Sequence, residues 1–306
     1  NNIIENEDLM EIGIIGLGKM GGQIAEKLNK SDFKVFGYDQ DENISNSDTF
    51  SFELAKSLDD LSNKFQGRKI LWVMVPSGIP TDNTIADLIE LLDEGDVIID
   101  GGNSYYKDSI NNSKKCEEKN IEFLDCGTSG GVWGLENGFC LTIGGKKETY
   151  SDLSKLFNTL STPESPNGLY VGIAGSGHYV KMIHNGIEYG MMQSIAEGLE
   201  ILKKKEEFNL NLDEISQNWR SGSVIQSWLI DLITDELKND TKLSKYSSMV
   251  SDSGEGRWTI KESIDLSVPI PSIYASISQR FNSKNKDSFS GKILSAMRNA
   301  FGGHKD

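Results

Sequence analysis

Ile12-Gly13-Ile14-Ile15-Gly16-Leu17-Gly18-Lys19-Met20-Gly21 is an apolar run, a glycine-spaced turn and the start of a helix in one short stretch. Gly16 permits a tight turn, Gly18 lets the backbone come close to a pyrophosphate, and Gly21 lets the helix pack on the preceding strand. The helix N-terminus that follows favours an anion. Gly16, Leu17, Gly18, Lys19, Met20 and Gly21 are therefore the candidate dinucleotide contacts. Glycine spacing alone is a weak signal; its place between a strand and a helix gives it weight.

Working outward from this turn, β-branched runs alternate with helix-patterned stretches as far as Val171. Strands are expected at Glu11–Ile15, Lys34–Tyr38, Lys69–Val75, Asp96–Asp100, Glu122–Cys126, Phe139–Ile143 and Leu169–Val171. Helices are expected at Gly22–Asn29, Ser51–Asn63, Thr81–Leu92, Tyr105–Lys119 and Thr149–Asn158. This order predicts an α/β fold with a doubly wound parallel sheet. After Gly175-Ser176-Gly177 the periodicity turns helical, over His178–Lys205, Leu212–Arg220, Val224–Leu237 and Ile270–Asn282. The reading is a dinucleotide-binding domain over 10–176 and an all-helical C-terminal domain over 177–306, with no internal repeat.

The second strand ends in Asp39, about 20 residues past the glycines, where a carboxylate accepts hydrogen bonds from an adenine ribose. Gln40, Asp41 and Glu42 follow, so a 2′-phosphate would meet acids rather than an arginine, and the expected cofactor is NAD. Other strands end in Val75-Pro76-Ser77-Gly78, Gly101-Gly102-Asn103-Ser104 and Gly127-Thr128-Ser129-Gly130-Gly131. Each alone could be an ordinary glycine turn. Together they look like the rim of a cleft at the carboxyl edge of the sheet.

Composition narrows the rest. A net charge of −15 argues against nucleic acid and makes any local gathering of cations informative. The three cysteines, Cys116, Cys126 and Cys140, lack metal-ligand spacing and read as free thiols of a cytoplasmic protein, with no metal expected. No apolar run approaches the ~18 residues of a membrane span. Asn1 to Leu9 is polar and acidic, unlike a secretory leader, and reads as an extension with no assigned function.

On a helix beginning near Gly177, Lys181, His184, Asn185 and Glu188 fall at i, i+3, i+4 and i+7 and share one face. Val180, Ile183, Ile187 and Met191 occupy the other, which is expected to face the core. A solvated Lys–Glu pair is the bland account of such charges. It does not explain why two of the three histidines and an Asn-Gly pair share the same short stretch. Oxidation of a hydroxyl needs a base, which a lysine with a desolvation-lowered pKa can provide, and a later step can draw on a second acid.

Gly177-His178-Tyr179-Val180-Lys181-Met182-Ile183-His184-Asn185-Gly186-Ile187-Glu188-Tyr189 resembles the corresponding segment of the 6-phosphogluconate dehydrogenases, within the wider β-hydroxyacid dehydrogenase superfamily. The resemblance runs from Glu11 to His304. It implies a Rossmann-type cofactor domain and oxidative decarboxylation of 6-phospho-D-gluconate to ribulose 5-phosphate and CO2, in the pentose phosphate pathway and gluconate utilisation. It implies that Lys181 is the general base and acid and that Glu188 protonates the enediol carbon. Asn103, Ser129, Gly130, Gly131, His184 and Asn185 would hold the sugar acid, with Asn103, Val75 and Pro76 also at the cofactor. Tyr189 and Arg280 would meet the phosphate, and Arg298 and His304 would form a C-terminal substrate tail reaching a neighbouring subunit of a homodimer or homotetramer.

Ser253-Gly254-Glu255-Gly256-Arg257-Trp258-Thr259 resembles the family's glycine-rich loop but departs from it. Longer NADP-using members carry Lys and Thr where this chain has Ser253 and Glu255, so one familiar phosphate cation is missing. Lys261 reads as a surface lysine. The short helical half resembles the branch that tends to use NAD, in agreement with Asp39. A 3-hydroxyisobutyrate-like dehydrogenase would share the glycine turn and the lysine–asparagine helix but not Glu188-Tyr189 or the tail. A non-catalytic NAD-binding module would not need Lys181 and Glu188.

Overall fold

Strands β1 (Met10–Ile15), β2 (Phe33–Tyr38), β3 (Glu53–Leu54), β4 (Ile70–Val73), β5 (Val97–Asp100), β6 (Glu122–Ser129), β7 (Cys140–Gly145) and β8 (Leu169–Gly172) form one sheet in the order β3-β2-β1-β4-β5-β6-β7-β8. They belong to a computed structural model that describes residues 9–45 and 48–302. Alternate strand residues enter two separate cores. Ile12 and Ile14, Ile70 and Trp72, and Val97 and Ile99 bury on one face, while Ile15, Leu71, Val73 and Ile98 bury on the other. Both faces are dry, which is why these strands read as continuous apolar runs rather than alternating ones. Each fully buried Ile or Leu contributes about 1.5–3 kcal/mol.

The sheet is parallel except at one place: β7 runs antiparallel to β6, pairing Ser129 with Cys140 and Leu124 with Gly145. The expected doubly wound parallel sheet is present, and this one pair departs from it because the link from Ser129 to Cys140 is too short for a crossover, which takes about a dozen residues or more. The helix expected over Ser51–Asn63 also divides. Glu53–Leu54 pairs with β2, and the helix spans only Leu58–Asn63, where the Ser57 hydroxyl accepts the Asp60 N–H at 2.9 Å. Likewise, Lys147–Asp152 and Ser154–Leu160 are two helices rather than one.

Contacts divide the chain into Asn1–Met182 and Ile183–Asp306. The division falls inside the long helix Ser176–Lys204. In the second unit, Leu212–Trp219, Trp228–Asn239 and Pro271–Lys284 are helices near their expected positions, and Ser227 caps the second of them by accepting the Ile230 N–H at 3.3 Å. Glu255–Asp265 and Phe289–Gly302 are further helices that periodicity did not mark out. Among the described residues no strand follows Gly172. One expectation is overturned along the long helix: Val180, Ile187 and Met191, taken as core-facing, are exposed, Ile187 by 51%.

Candidate active site

Gly16 sits at the end of β1 with φ +90°, and a side chain there would strike the Met74 carbonyl. Its N–H donates to the Tyr38 carbonyl at 2.8 Å, tying the turn to β2. A Cβ on Gly21 would overlap the Gly16 carbonyl, so helix Lys19–Asn29 starts hard against the strand. Gly18 is different: a Cβ there would meet nothing within 4 Å. Gly18 and Lys19 are exposed, Met20 is half-buried, and no side chain caps the helix start. Bare backbone and uncapped N–H donors are what a pyrophosphate needs, so this turn fits a dinucleotide.

Leu17 contributes differently: its side chain is buried in the core, and its N–H donates to Asp39 Oδ2 at 2.7 Å. Asp39 Oδ1 accepts the Asp41 N–H at 2.9 Å. The carboxylate thus stands at the carboxyl end of β2 beside the turn, held by two backbone donors. Val75 and Pro76 follow β4, exposed Asn103 follows β5, and Ser129 ends β6 with Gly130 and Gly131 beyond it. These strands run parallel, so all six positions lie on the carboxyl edge of the sheet.

Sequence reasoning missed what holds this edge together. Gln23 Nε2 and Lys27 Nζ donate to the Val132 and Leu135 carbonyls at 3.1 and 3.0 Å, fastening the segment after Gly131 to the glycine-turn helix. Inside the sheet, the fully buried Asp125 carboxylate accepts the Gly175 N–H at 2.6 Å and the His178 N–H at 2.8 Å. It therefore satisfies the orphan donors at the start of the long helix from a distant strand. His178 Nδ1 lies 2.6 Å from Ser109 Oγ and 4.0 Å from Asp100 Oδ2. Burial pushes the Asp100 carboxyl above the usual carboxylate range, although nearby His178 and the hydrogen bond from the Gly102 N–H oppose the shift. A Cβ on Gly127 would come within 2.5 Å of Lys181 Cβ, so the helix lies directly on β6 and sets Lys181 beside that strand's carboxyl end.

Along the same helix, His184 Nδ1 is 2.9 Å from Asn185 Oδ1, and Asn185 Nδ2 donates to Glu255 Oε1 at 3.0 Å. Glu188 follows, half-buried. Tyr189 is buried, its hydroxyl accepting the Ser253 N–H at 3.2 Å and lying 3.3 Å from Ser253 Oγ. The Arg280 guanidinium stacks on the Tyr189 ring, 3.7 Å from its centroid, and donates to the Ser251 carbonyl at 2.7 Å. Tyr189, Ser253 and Arg280 are thus brought together. The stretch expected to be a loop through Thr259 is helical from Glu255, with Gly254 at φ +105° as its entry. Arg298 is exposed on helix Phe289–Gly302, and His304 lies outside the described residues.

Residues 11–175 match the NAD binding domain of 6-phosphogluconate dehydrogenase, and residues 177–296 match the C-terminal domain of that enzyme. The Bacillus subtilis protein YqeC, which carries the same family name, is 41% identical over 96% of this chain and 98% of its own length. The NAD(+)-dependent, decarboxylating 6-phosphogluconate dehydrogenase of Haloferax volcanii is 37% identical over 97% of this chain and 98% of its own. Among solved structures, the Plasmodium falciparum 6-phosphogluconate dehydrogenase superposes with a TM-score of 0.80 at 29% identity, over 97% of this chain and 65% of that one. The two family matches adjoin at the start of the long helix and leave few residues outside them, so the likeness covers the glycine turn and the Lys181 helix together: the chain belongs to the 6-phosphogluconate dehydrogenase family.

Proposed function

We propose that this protein is a cytoplasmic, NAD-dependent 6-phosphogluconate dehydrogenase that oxidises and decarboxylates 6-phospho-D-gluconate to ribulose 5-phosphate. The observation that carries the reading is the end-to-end match to a relative named for the NAD(+)-dependent, decarboxylating reaction. Asp39 and its acidic neighbours agree with the choice of cofactor. Gly16 to Gly21 would hold the pyrophosphate and Asp39 the adenine ribose, with Val75, Pro76 and Asn103 along the strand ends. NAD, when bound, supplies the hydride acceptor.

Lys181 takes the proton of the substrate's C3 hydroxyl as that carbon is oxidised. As an ammonium it then polarises the 3-keto oxygen while the carboxylate leaves as CO2. Glu188, two helical turns further on, delivers a proton to C1 of the enediol. Asn103, Ser129, Gly130, Gly131, His184 and Asn185 hold the hydroxyls and the carboxylate. Arg280, set in place by its stack on Tyr189 and its bond to Ser251, meets the phosphate with its remaining donors.

The working form is a homodimer or homotetramer whose Arg298 and His304 reach a neighbouring subunit. Exposed Ile187, Met191, Val224 and Ile225 line an apolar groove of the helical unit and support association. No helix among the described residues is long and apolar enough to cross a membrane. One assay tests the reading: purified protein with NAD and, in turn, 6-phosphogluconate, gluconate and 3-hydroxyisobutyrate. The expected result is NADH and CO2 in equal amounts from the first substrate alone. NADH without CO2 from 3-hydroxyisobutyrate would replace this reading with a simple β-hydroxyacid dehydrogenase.

A further inference from the structure

Glu255 is 1% exposed and opens helix Glu255–Asp265. A carboxylate there is favoured by the helix N-terminus and accepts the Asn185 Nδ2–H at 3.0 Å. A carboxylate only accepts, so the Asn185 amide must turn its NH2 toward Glu255 and its oxygen the other way. That oxygen lies 2.9 Å from His184 Nδ1. An amide oxygen also only accepts, so Nδ1 must carry the proton. In a neutral imidazole the other nitrogen, Nε2, is then the acceptor.

We propose that Glu255 is a positioning residue that acts through Asn185 to hold His184 in its Nδ1–H tautomer, so that the exposed ring offers Nε2 to a substrate hydroxyl. Glu255 thus fixes which end of the amide faces His184, since an amide turned end for end would offer the ring a donor instead of an acceptor. The consequence for binding rests on the proposed sugar-acid substrate; the tautomer itself does not.

The test is long-range 1H–15N correlation of the three histidines in the ligand-free full-length protein at about pH 8.5, two units above the ordinary imidazole value. His184 is assigned by the signal lost in His184→Gln. The wild type is expected to show a pyrrole-like Nδ1 and a pyridine-like Nε2. In Glu255→Met the Nδ1–H share should fall by about fivefold, the worth of one net hydrogen bond. Glu255→Thr, which is too short to reach Asn185, should behave in the same way if the methionine variant does not fold. Buried His178 should be unmoved in either. A wild-type Nε2–H tautomer, or an unchanged ratio in the variants, would overturn the proposal.

Kinetics with 6-phosphogluconate supply the second readout. Glu255→Met should raise KM about fivefold with kcat retained, and should add little in a His184→Gln background. Fully additive effects would refute the relay. A wild-type protein with the expected tautomer but no dehydrogenase activity would remove the functional reading and leave the positioning role standing.

Discussion

The Asp39 carboxylate accepts the Leu17 N–H at 2.7 Å, so the acid that would receive the adenine ribose also shapes the turn that would receive the pyrophosphate. Its two tasks can be separated. Asp39→Asn keeps an oxygen for Leu17 and should leave the melting temperature nearly unchanged while raising KM for NAD. The wild type should use NAD with at least about tenfold higher catalytic efficiency than NADP, or about 1.4 kcal/mol of discrimination. Asp39→Ala with Gln40→Arg should move that ratio toward NADP. Parity of the two cofactors in the wild type would contradict the reading.

Lys181 and Glu188 should fail differently when replaced. Lys181→Met removes the base for the hydroxyl proton and should lower turnover by about 100-fold or more. Glu188→Gln should slow the overall reaction while sparing decarboxylation of a supplied 3-keto analogue. Near-normal turnover of Lys181→Met would dismiss the mechanism.

Gly127 sets how closely the long helix approaches β6. In Gly127→Ala the new methyl would lie 2.5 Å from Lys181 Cβ, 2.6 Å from Thr142 Oγ1 and 2.8 Å from the Gly177 carbonyl. Two of these neighbours belong to the helix start, so relief requires the helix to shift. The expected cost is about 1–3 kcal/mol in denaturant unfolding, with activity falling because Lys181 moves. Unchanged stability and turnover would mean that the helix is not held against this strand.

Asp100 gives the fold a pH dependence of definite sign. Burial raises its pKa in the folded state above the unfolded value, so the native protein binds the extra proton between the two. Stability from this group is therefore present at low pH and lost as pH rises through the folded pKa. Asp100→Asn keeps an acceptor for the Gly102 N–H, 3.1 Å away, and removes the buried charge. Its stability gain over the wild type should grow from acidic to neutral pH in urea titrations. A gain that shrinks with rising pH would reverse the assignment.

The glycine turn, Asp39 and the Lys181 helix were legible because each is local: spacing within about 20 residues carries the chemistry. The Asp125 anchor was not, since its donors at Gly175 and His178 come from a different element and no local pattern links them. Glu255 was noticed only as a departure, because its partner Asn185 is 70 residues away. The exposed face at Ile187 and Met191 misled for another reason. Apolar periodicity marks a surface to be covered, without saying whether the cover comes from the same chain.

Arg298 stands on the exposed helix Phe289–Gly302, far along the chain from Lys181, in a protein whose net charge of −15 leaves few cations for an anionic substrate. If the tail serves a neighbouring subunit, Arg298 offers its planar fork to a phosphate there, and His304 lies a few residues beyond. Two defective chains decide between subunits: one carrying Lys181→Met and one truncated after Ser295. Each should be inactive, or nearly so, when expressed alone. Co-expressed, they form mixed oligomers. A tail acting across subunits would unite an intact Lys181 from the truncated chain with the intact tail of the other, and activity should return to a measurable fraction of wild type. With a tail acting on its own chain, every site would lack one part and the mixture would stay dead. Size-exclusion chromatography of the mixture must show hetero-oligomers, so that lack of rescue counts against the shared site rather than against assembly.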